Sequence, residues 1–370
     1  MRQDRSKNTA ARSGWTLRLG RFLGIDVFVH VTLLLLLGVL AAVQLVGGGP
    51  PAAAAWTVLS LGAVFSFVLL HEYGHALAAR RYGIATRDIT LLPIGGVAQL
   101  ERMPERPREE LVVALAGPAV NLALALLAAV GLAATLVPGV PAVAALRGAL
   151  AFALLSNGLL FAFNLLPALP MDGGRVLRAL LAMRLGSLRA TELAARVGRL
   201  FAVGLGVIGL FANPVLILIA AFVWFGAAQE TYFARARAGL QGASVASAMA
   251  TDILTLSPTD RLSDVAELAR HGSQRHYPVV HDGALVGVLH DRDLLRALGE
   301  ERFSSVASVM RAELEAARPA DDLLVVFTRL AQTPYGALPV VEGTRLVGLI
   351  TRDGLQRFLA LRGLAGPTTA

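Results

Sequence analysis

The chain has no cysteine among its 370 residues. Disulfides, thiolate metal sites and cysteine nucleophiles are therefore excluded. The absence says little about compartment, because a cytosol-facing domain needs none. Charge is scarce too: 16% of residues are charged and 55% are hydrophobic, with a mean hydropathy of +0.61, whereas typical soluble domains carry about 25% charged residues. The scarcity is local. Residues 31–69 and 200–229 hold no charged side chain, and 111–174 holds only Arg147 and Asp172. The N-terminus lacks a small-residue cleavage site after its basic start, and the apolar run behind it is too long for a secretory signal. From about Ser244 onward the composition is that of an ordinary soluble domain. The chain thus reads as a membrane part followed by a soluble part.

A spanning helix needs about 20 mostly apolar residues. Such runs lie at roughly 23–46, 55–79, 111–137, 145–166, 197–212 and 214–233, the last two separated by Asn213-Pro214. The last pair reads as two helices joined by a hairpin, since together they are too long for one crossing. Basic residues alternate between the gaps. Arg2, Arg5, Lys7, Arg12, Arg18 and Arg21 precede the first span; Arg80, Arg81, Arg87, Arg102, Arg106 and Arg108 follow the second. Arg175, Arg178, Arg184, Arg189, Arg196 and Arg199 follow the fourth, and Arg235 and Arg237 end the sixth. The intervening gaps hold none apart from Arg147. This alternation predicts six spans with both termini and the soluble part in the cytoplasm. The net charge of +8 is then topological, the lipid bilayer is the expected partner, and nucleic acid is not.

One apolar run contains "LLHEYGHAL", Leu69 to Leu77. Ionisable groups at membrane depth cost about 2.5–3.5 kcal/mol each on insertion scales, so something must offset them. Residues four apart share a helix face, which sets His71 and His75 side by side with Glu72 one step round. Two such imidazoles can grip one Zn²⁺ while the carboxylate takes a proton from water, whose pKa zinc lowers to about 7. A catalytic zinc usually takes three protein ligands. Asp172 is the better candidate for the third, because it ends an apolar run that Pro167 and Pro170 have just broken, and broken backbone at membrane depth lines cavities. His30 reads as a helix-packing residue of the first span. The segment from Arg87 to Glu101, rich in β-branched residues and split by Pro93 and two glycines, reads as a strand hairpin whose edge could take an extended peptide by strand addition.

At these residues the chain resembles the site-2 proteases, zinc metalloproteases that cleave peptide bonds within membranes. The resemblance rests on His71-Glu72-x-x-His75, on Gly117-Pro118-x-x-Asn121, on "LPIGG" at 92–96, and on Asn164-x-x-Pro167 leading into Asp172-Gly173. It covers about residues 20–235, with Met171 where leucine is more usual. It implies His71, His75 and Asp172 as zinc ligands, Glu72 as the base, and Asn164 as a stabiliser of the oxyanion. It further implies a membrane-tethered regulatory protein as substrate, such as an anti-sigma or pro-sigma factor.

The soluble part is a repeat with an offset of about 61 residues. "VASAM" at 245–249 recurs as "VASVM" at 306–310, and "YPVVHDGALVGVL" at 277–289 recurs as "LPVVEGTRLVGLI" at 338–350. Each copy reads as helix, strand, strand, helix. This resembles a tandem pair of CBS domains, which commonly bind adenosine nucleotides and regulate the protein that carries them. The family signature, Gly-h-h-Ser/Thr-x-x-Asp, is split here. Gly287 to Asp293 keeps the aspartate but has His290 for the hydroxyl, and Gly348 to Gly354 keeps Thr351 but lacks the aspartate. An adenosine nucleotide held by Asp293 and Thr351, and a purely structural dimerising or docking module, both stay open.

The expected fold is an α-helical polytopic membrane protein, six transmembrane helices with a short membrane-associated β segment, followed by a soluble α/β tandem CBS domain. The expected boundaries are a basic cytoplasmic tail at 1–22, the metalloprotease domain at 23–235, a linker at 236–244, CBS copies at 245–303 and 304–363, and a tail at 364–370. The expected function is zinc-dependent cleavage of a membrane-embedded protein in a bacterial or archaeal cell membrane. Control by the CBS pair and a homodimer formed through it are further expectations. The alternative is a CBS-gated transporter or channel with the histidines as an ion site. The absence of a detectable repeat among the six spans weighs against it.

Overall fold

The computed structural model describes residues 15–102, 104, 106–136, 144–299, 305–312 and 315–364. Most of the expected N-terminal tail, the gap after the third span, the junction of the two repeat copies and the C-terminal tail lie outside the described residues. The chain forms two compact units, Met1–Ala234 and Arg235–Ala370.

The first unit opens with strands β1 (Thr16–Phe22) and β2 (Ile25–His30), then helices α1 (Val31–Val46) and α2 (Pro51–Arg80). Strands β3 (Thr86–Leu92) and β4 (Gly95–Leu100) follow, then α3 (Pro107–Ala134), α4 (Ala144–Asn164), α5 (Asp172–Leu185), α6 (Ser187–Phe211) and α7 (Val215–Leu240), whose residues from Arg235 on belong to the second unit. Five of these helices, α2, α3, α4, α6 and α7, are long and apolar enough to cross a membrane, and α1 is shorter, at 16 residues. The expected break between the last two spans stands at Asn213-Pro214.

The start of the first span differs from the sequence expectation. Residues 25–30, Ile-Asp-Val-Phe-Val-His, form a strand rather than the first turns of a helix. Their β-branched and aromatic side chains suit a pleated surface, and β2 finds partners on both sides. It pairs antiparallel with β1 across Leu23-Gly24, both with positive φ as a two-residue type I′ hairpin turn requires. On its other side it pairs parallel with β3, and β4 completes a sheet of order β1-β2-β3-β4. The hairpin expected between Arg87 and Glu101 is β3–β4. His30 ends β2 and caps α1, its Nδ1 accepting from the Thr32 N–H at 3.3 Å, so it is a helix cap and not a packing residue within a span.

The sheet fixes the roll of α2. Ile25, Val27 and Ile89 pack on Tyr73 and Ala76, and the Tyr73 hydroxyl donates to the Phe22 carbonyl at 3.1 Å. With that flank of α2 held by the sheet, the flank carrying His71 and His75 faces α3. There the helices meet closely: a Cβ on Gly74 would lie 2.6 Å from the Ala116 carbonyl oxygen.

In the second unit, α8 (Leu262–His271), β5 (His276–His281), β6 (Ala284–His290) and α9 (Asp291–Leu298) form one copy. Helix α10 (Leu323–Gln332), β7 (Ala337–Glu342), β8 (Arg345–Thr351) and α11 (Arg352–Leu364) form the other, each element starting 61 residues after its counterpart. The strands make one sheet of order β5-β6-β8-β7. The copies interlock through their leading segments. Met310 packs over Gly287 of the first copy and Met249 over Gly348 of the second, where an added Cβ would sit 2.6 and 2.8 Å from the sulfur.

Candidate metal centre

His71 and His75 stand one helical turn apart on α2, both buried, and Asp172 begins α5. Asp172 is delivered by the broken segment between α4 and α5. Pro167 and Pro170 stop α4 from continuing, and Ala168, Leu169 and Met171 are buried between α6 and α7, against Ala194, Ala195, Ala202, Val223 and Ala227. Gly173 and Gly174 let α5 start against this segment. A Cβ on Gly174 would lie 2.4 Å or more from Leu169 and Ala168 backbone atoms, and one on Gly173 would strike the Leu165 and Leu166 carbonyls.

The three ligand atoms converge. His71 Nε2 lies 3.0 Å from Asp172 Oδ2, His75 Nε2 lies 3.2 Å from the same oxygen, and the two Nε2 atoms are 3.0 Å apart. Among the described residues these three form the one group of histidine and acidic side chains able to hold a metal ion. The other ring nitrogens are committed. His75 Nδ1 donates to the Val113 carbonyl at 2.7 Å. His71 Nδ1 donates to Asn121 Oδ1, whose amide nitrogen donates to Asn157 Oδ1 at 2.9 Å, and Asn157 in turn donates to the Ala153 carbonyl at 2.9 Å. Because the relay ends on a main-chain carbonyl, every amide in it has one orientation. Both imidazoles therefore carry hydrogen on Nδ1 and present the Nε2 lone pair inward. Two such lone pairs and a carboxylate oxygen at this spacing need a cation between them. Tetrahedral zinc, bonded at about 2.0–2.1 Å, sets ligand atoms about 3.3 Å apart and takes this donor set with a fourth position open. The hydrogen bonds behind the imidazoles are the usual support for metal-bound histidine.

Helix α3 closes over the group without filling it. A Cβ on Gly117 would lie 2.7 Å from His71 Nε2 and closer still to His75 Nε2. Pro118, inside α3, has no N–H to offer the Ala114 carbonyl, one residue past the Val113 carbonyl that His75 uses. Glu72 turns toward β4. A Cβ on Gly96 would lie 2.6 Å from Glu72 Cγ and 3.0 Å from its Oε1. Glu72, Asn164 and the three candidate ligands line one cavity of about 440 Å³, walled by residues of α2, β4, α4 and α7. Asn121 belongs to a motif noted in the sequence, but its hydrogen bonds were not legible there. Asn157 was missed altogether. Its signal was an amide in the middle of a mostly apolar helix.

In the second unit, Asp293 and Thr351 each already have a partner. Arg311 grips Asp293 with two hydrogen bonds, at 2.9 and 3.3 Å, and its hydrogen bonding holds the Asp293 carboxyl below its usual range. The Thr351 hydroxyl accepts from the Gly354 N–H at 3.0 Å at the start of α11. Beside Asp293, the His290 ring stacks on Tyr335 with centroids 3.9 Å apart, and the Arg311 guanidinium carbon lies 4.7 Å from the Tyr335 ring centroid. His290 also meets His276, Nδ1 to Nδ1 at 2.9 Å. Burial, then the neighbouring His276, push His290 down to about 4.

Residues 59–149 and 139–205 match the family model described as Peptidase family M50, and residues 245–300 and 306–361 match the CBS domain. The zinc metalloprotease MJ0392 of Methanocaldococcus jannaschii is 30% identical over 350 residues, covering 94% of this chain and 97% of the relative. Rip3 of Mycobacterium tuberculosis is 33% identical over 372 residues, covering 94% of each chain. A solved site-2 protease from Methanocaldococcus jannaschii is 34% identical, covers 59% of this chain and 95% of its own, and aligns with a TM-score of 0.43. The matches set aside the transporter or channel reading. The chain belongs to peptidase family M50, the zinc metalloproteases of site-2 protease type, and carries a tandem pair of CBS domains.

Proposed function

We propose that the protein cleaves a membrane-embedded regulatory protein, of the anti-sigma or pro-sigma kind, at the cavity shared by His71, Glu72, His75, Asn164 and Asp172. The observation that carries this reading is the convergence of three ligand atoms and an unligated carboxylate in one cavity walled by apolar helices. His71, His75 and Asp172 hold Zn²⁺, which supplies a Lewis acid able to activate water near neutral pH. Glu72 takes the proton from the attacking water and later delivers it to the leaving amine. The Asn164 amide donates to the carbonyl oxygen as negative charge develops there. Strand β4 lies at one edge of the sheet and lines the cavity beside Glu72. An unwound substrate segment pairing with that edge would bring its amide bonds to the carboxylate, since a helix hides them.

The orientation follows from the arginine pattern, with both termini and the CBS pair on the cytoplasmic side. There the pair gates entry of the substrate or docks its soluble region, and it is the surface through which two copies would pair. An adenosine nucleotide at Asp293 would have to displace Arg311, so its binding is weak, with at most one nucleotide per chain.

Glu72→Gln tests the assignment. The variant should keep the zinc content of the wild type and lose cleavage of a co-reconstituted single-span substrate. Cleavage at the wild-type rate, with metal unchanged, removes Glu72 from the chemistry; cleavage by wild-type protein that survives removal of zinc rejects the metal assignment.

A further inference from the structure

The cavity contains one charged side chain that the reading above does not use. Arg175 stands three residues after Asp172 in the first turn of α5, so the two share a helix face. It lines the cavity with Asn164 and Phe222, and its buried Nε has no hydrogen-bond partner among the described residues. Arg178, three residues further on, contrasts with it by taking both Glu110 and Glu230. The carboxylates near Arg175 do not serve it. Asp172 Oδ2 is turned to the two imidazoles, and the Glu72 carboxylate is turned to Gly96 of β4.

A guanidinium stays charged at any working pH, and a buried donor without an acceptor is costly. The charges of the cavity show what is missing. A divalent ion held by two neutral imidazoles is balanced by Asp172 and Glu72, which leaves the charge of Arg175 uncompensated. Phe65, Val68, Leu160, Phe163 and Phe222 make much of the wall apolar, so an opposite charge entering there is weakly screened. A peptide carboxylate would restore neutrality and fill the fork of donors that arginine presents.

We propose that Arg175 is a specificity-determining residue of this site, receiving an aspartate or glutamate side chain of the substrate close to the bond to be cut. The inference rests on the cavity being a zinc protease site.

Binding of peptide hydroxamates to the zinc-loaded full chain in detergent separates the two. The probes are matched peptides carrying either glutamate or glutamine at successive positions next to the hydroxamate, and their affinities are read by calorimetry. At one position the glutamate probe should bind at least about tenfold more tightly. Arg175→Gln should erase that difference by weakening the glutamate probe alone, with zinc content unchanged. Arg175→Lys should retain part of it, and Arg175→Glu should reverse it in favour of a lysine-bearing probe. Equal affinities at every position in the wild type overturn the proposal. So does a preference for glutamate that survives Arg175→Gln or Arg175→Glu. Equal weakening of every probe by Arg175→Gln and Arg175→Lys also overturns it, and makes Arg175 a donor to the peptide backbone instead. Failure of every hydroxamate to bind zinc-loaded wild type rejects the protease-site reading itself, and this inference with it.

Discussion

Gly117→Ala is the smallest change that should empty the metal centre. The added methyl would sit 2.7 Å from His71 Nε2 and nearer still to His75 Nε2, whereas ordinary contact begins at 3.4 Å. The overlap is therefore about 0.7 Å at one ligand and larger at the other, several times the roughly 0.2 Å tolerance of a zinc–ligand distance. Neither ring retreats easily, because the Val113 carbonyl and Asn121 hold their Nδ1 atoms. Nor can α3 back away without opening its close approach to α2 at Gly74. Breaking the hydrogen bonds behind a metal-bound histidine costs about 10–100-fold in affinity. Displacing ligand atoms should cost at least the upper figure, about 2.7 kcal/mol. Competition against a chromophoric zinc chelator, on protein purified in detergent, measures it. Gly62→Ala is the control, since nothing lies within 4 Å of its added Cβ. Wild-type zinc affinity in Gly117→Ala would refute the geometry of the centre.

Asn121→Ala should weaken zinc about 10–100-fold by the same assay while leaving all three ligands in place; an unchanged affinity would mean that His71 needs no support. Arg178 bridges Glu110 of α3 and Glu230 of α7, with its side chain 15% exposed, so Arg178→Ala should leave two carboxylates uncompensated and destabilise the first unit by about 3 kcal/mol. Chemical unfolding in detergent reads this, and a loss under 1 kcal/mol would show the pair to be solvent-screened. His290 should make the second unit acid-sensitive. Its folded value of about 4 lies below the ordinary 6.5, so the stability it contributes is complete above pH 6.5 and is lost as pH falls toward 4. Allowing for solvent screening, the loss by pH 5 is on the order of 1–2 kcal/mol. Hydrogen exchange of β5 and β6 at pH 7.5 and 5 should show it, and His290→Phe should flatten the response.

The parts of this structure that the sequence made legible are those governed by spacing along one element. The helical period sets His71 beside His75, the two prolines before Asp172 end a helix, and the 61-residue offset gives both copies of the soluble half. What was not legible depends on partners far along the chain. Residues 25–30 merge into the apolar run of α1, and only pairing with β3 makes them a strand. Asn157 reads as an isolated polar residue until α3 places Asn121 against it. The approach of α3 to the imidazoles leaves only a glycine in the sequence, and glycine has many other uses. Asp293 fits a nucleotide signature within its own copy, while the residue that occupies it, Arg311, stands at the head of the other.

The parallel pairing of β2 with β3 has a consequence for how the chain is made. Asp26 to Val29 lie beside Asp88 to Leu91, and hydrogen-bonded strands cannot stand on opposite faces of a bilayer. Helices α1 and α2, which connect them, must together cross an even number of times. This parity is fixed by four backbone pairs and owes nothing to the distribution of arginine. Reporters fused before Trp15 and inserted near Pro104 should therefore always be found on one face, and any inversion should move both. The same pairing sets an order of assembly. With 55 residues between His30 and Thr86, and synthesis at about 5–20 residues per second, the open edge of β2 waits about 3–11 s for β3 while the two helices enter the membrane.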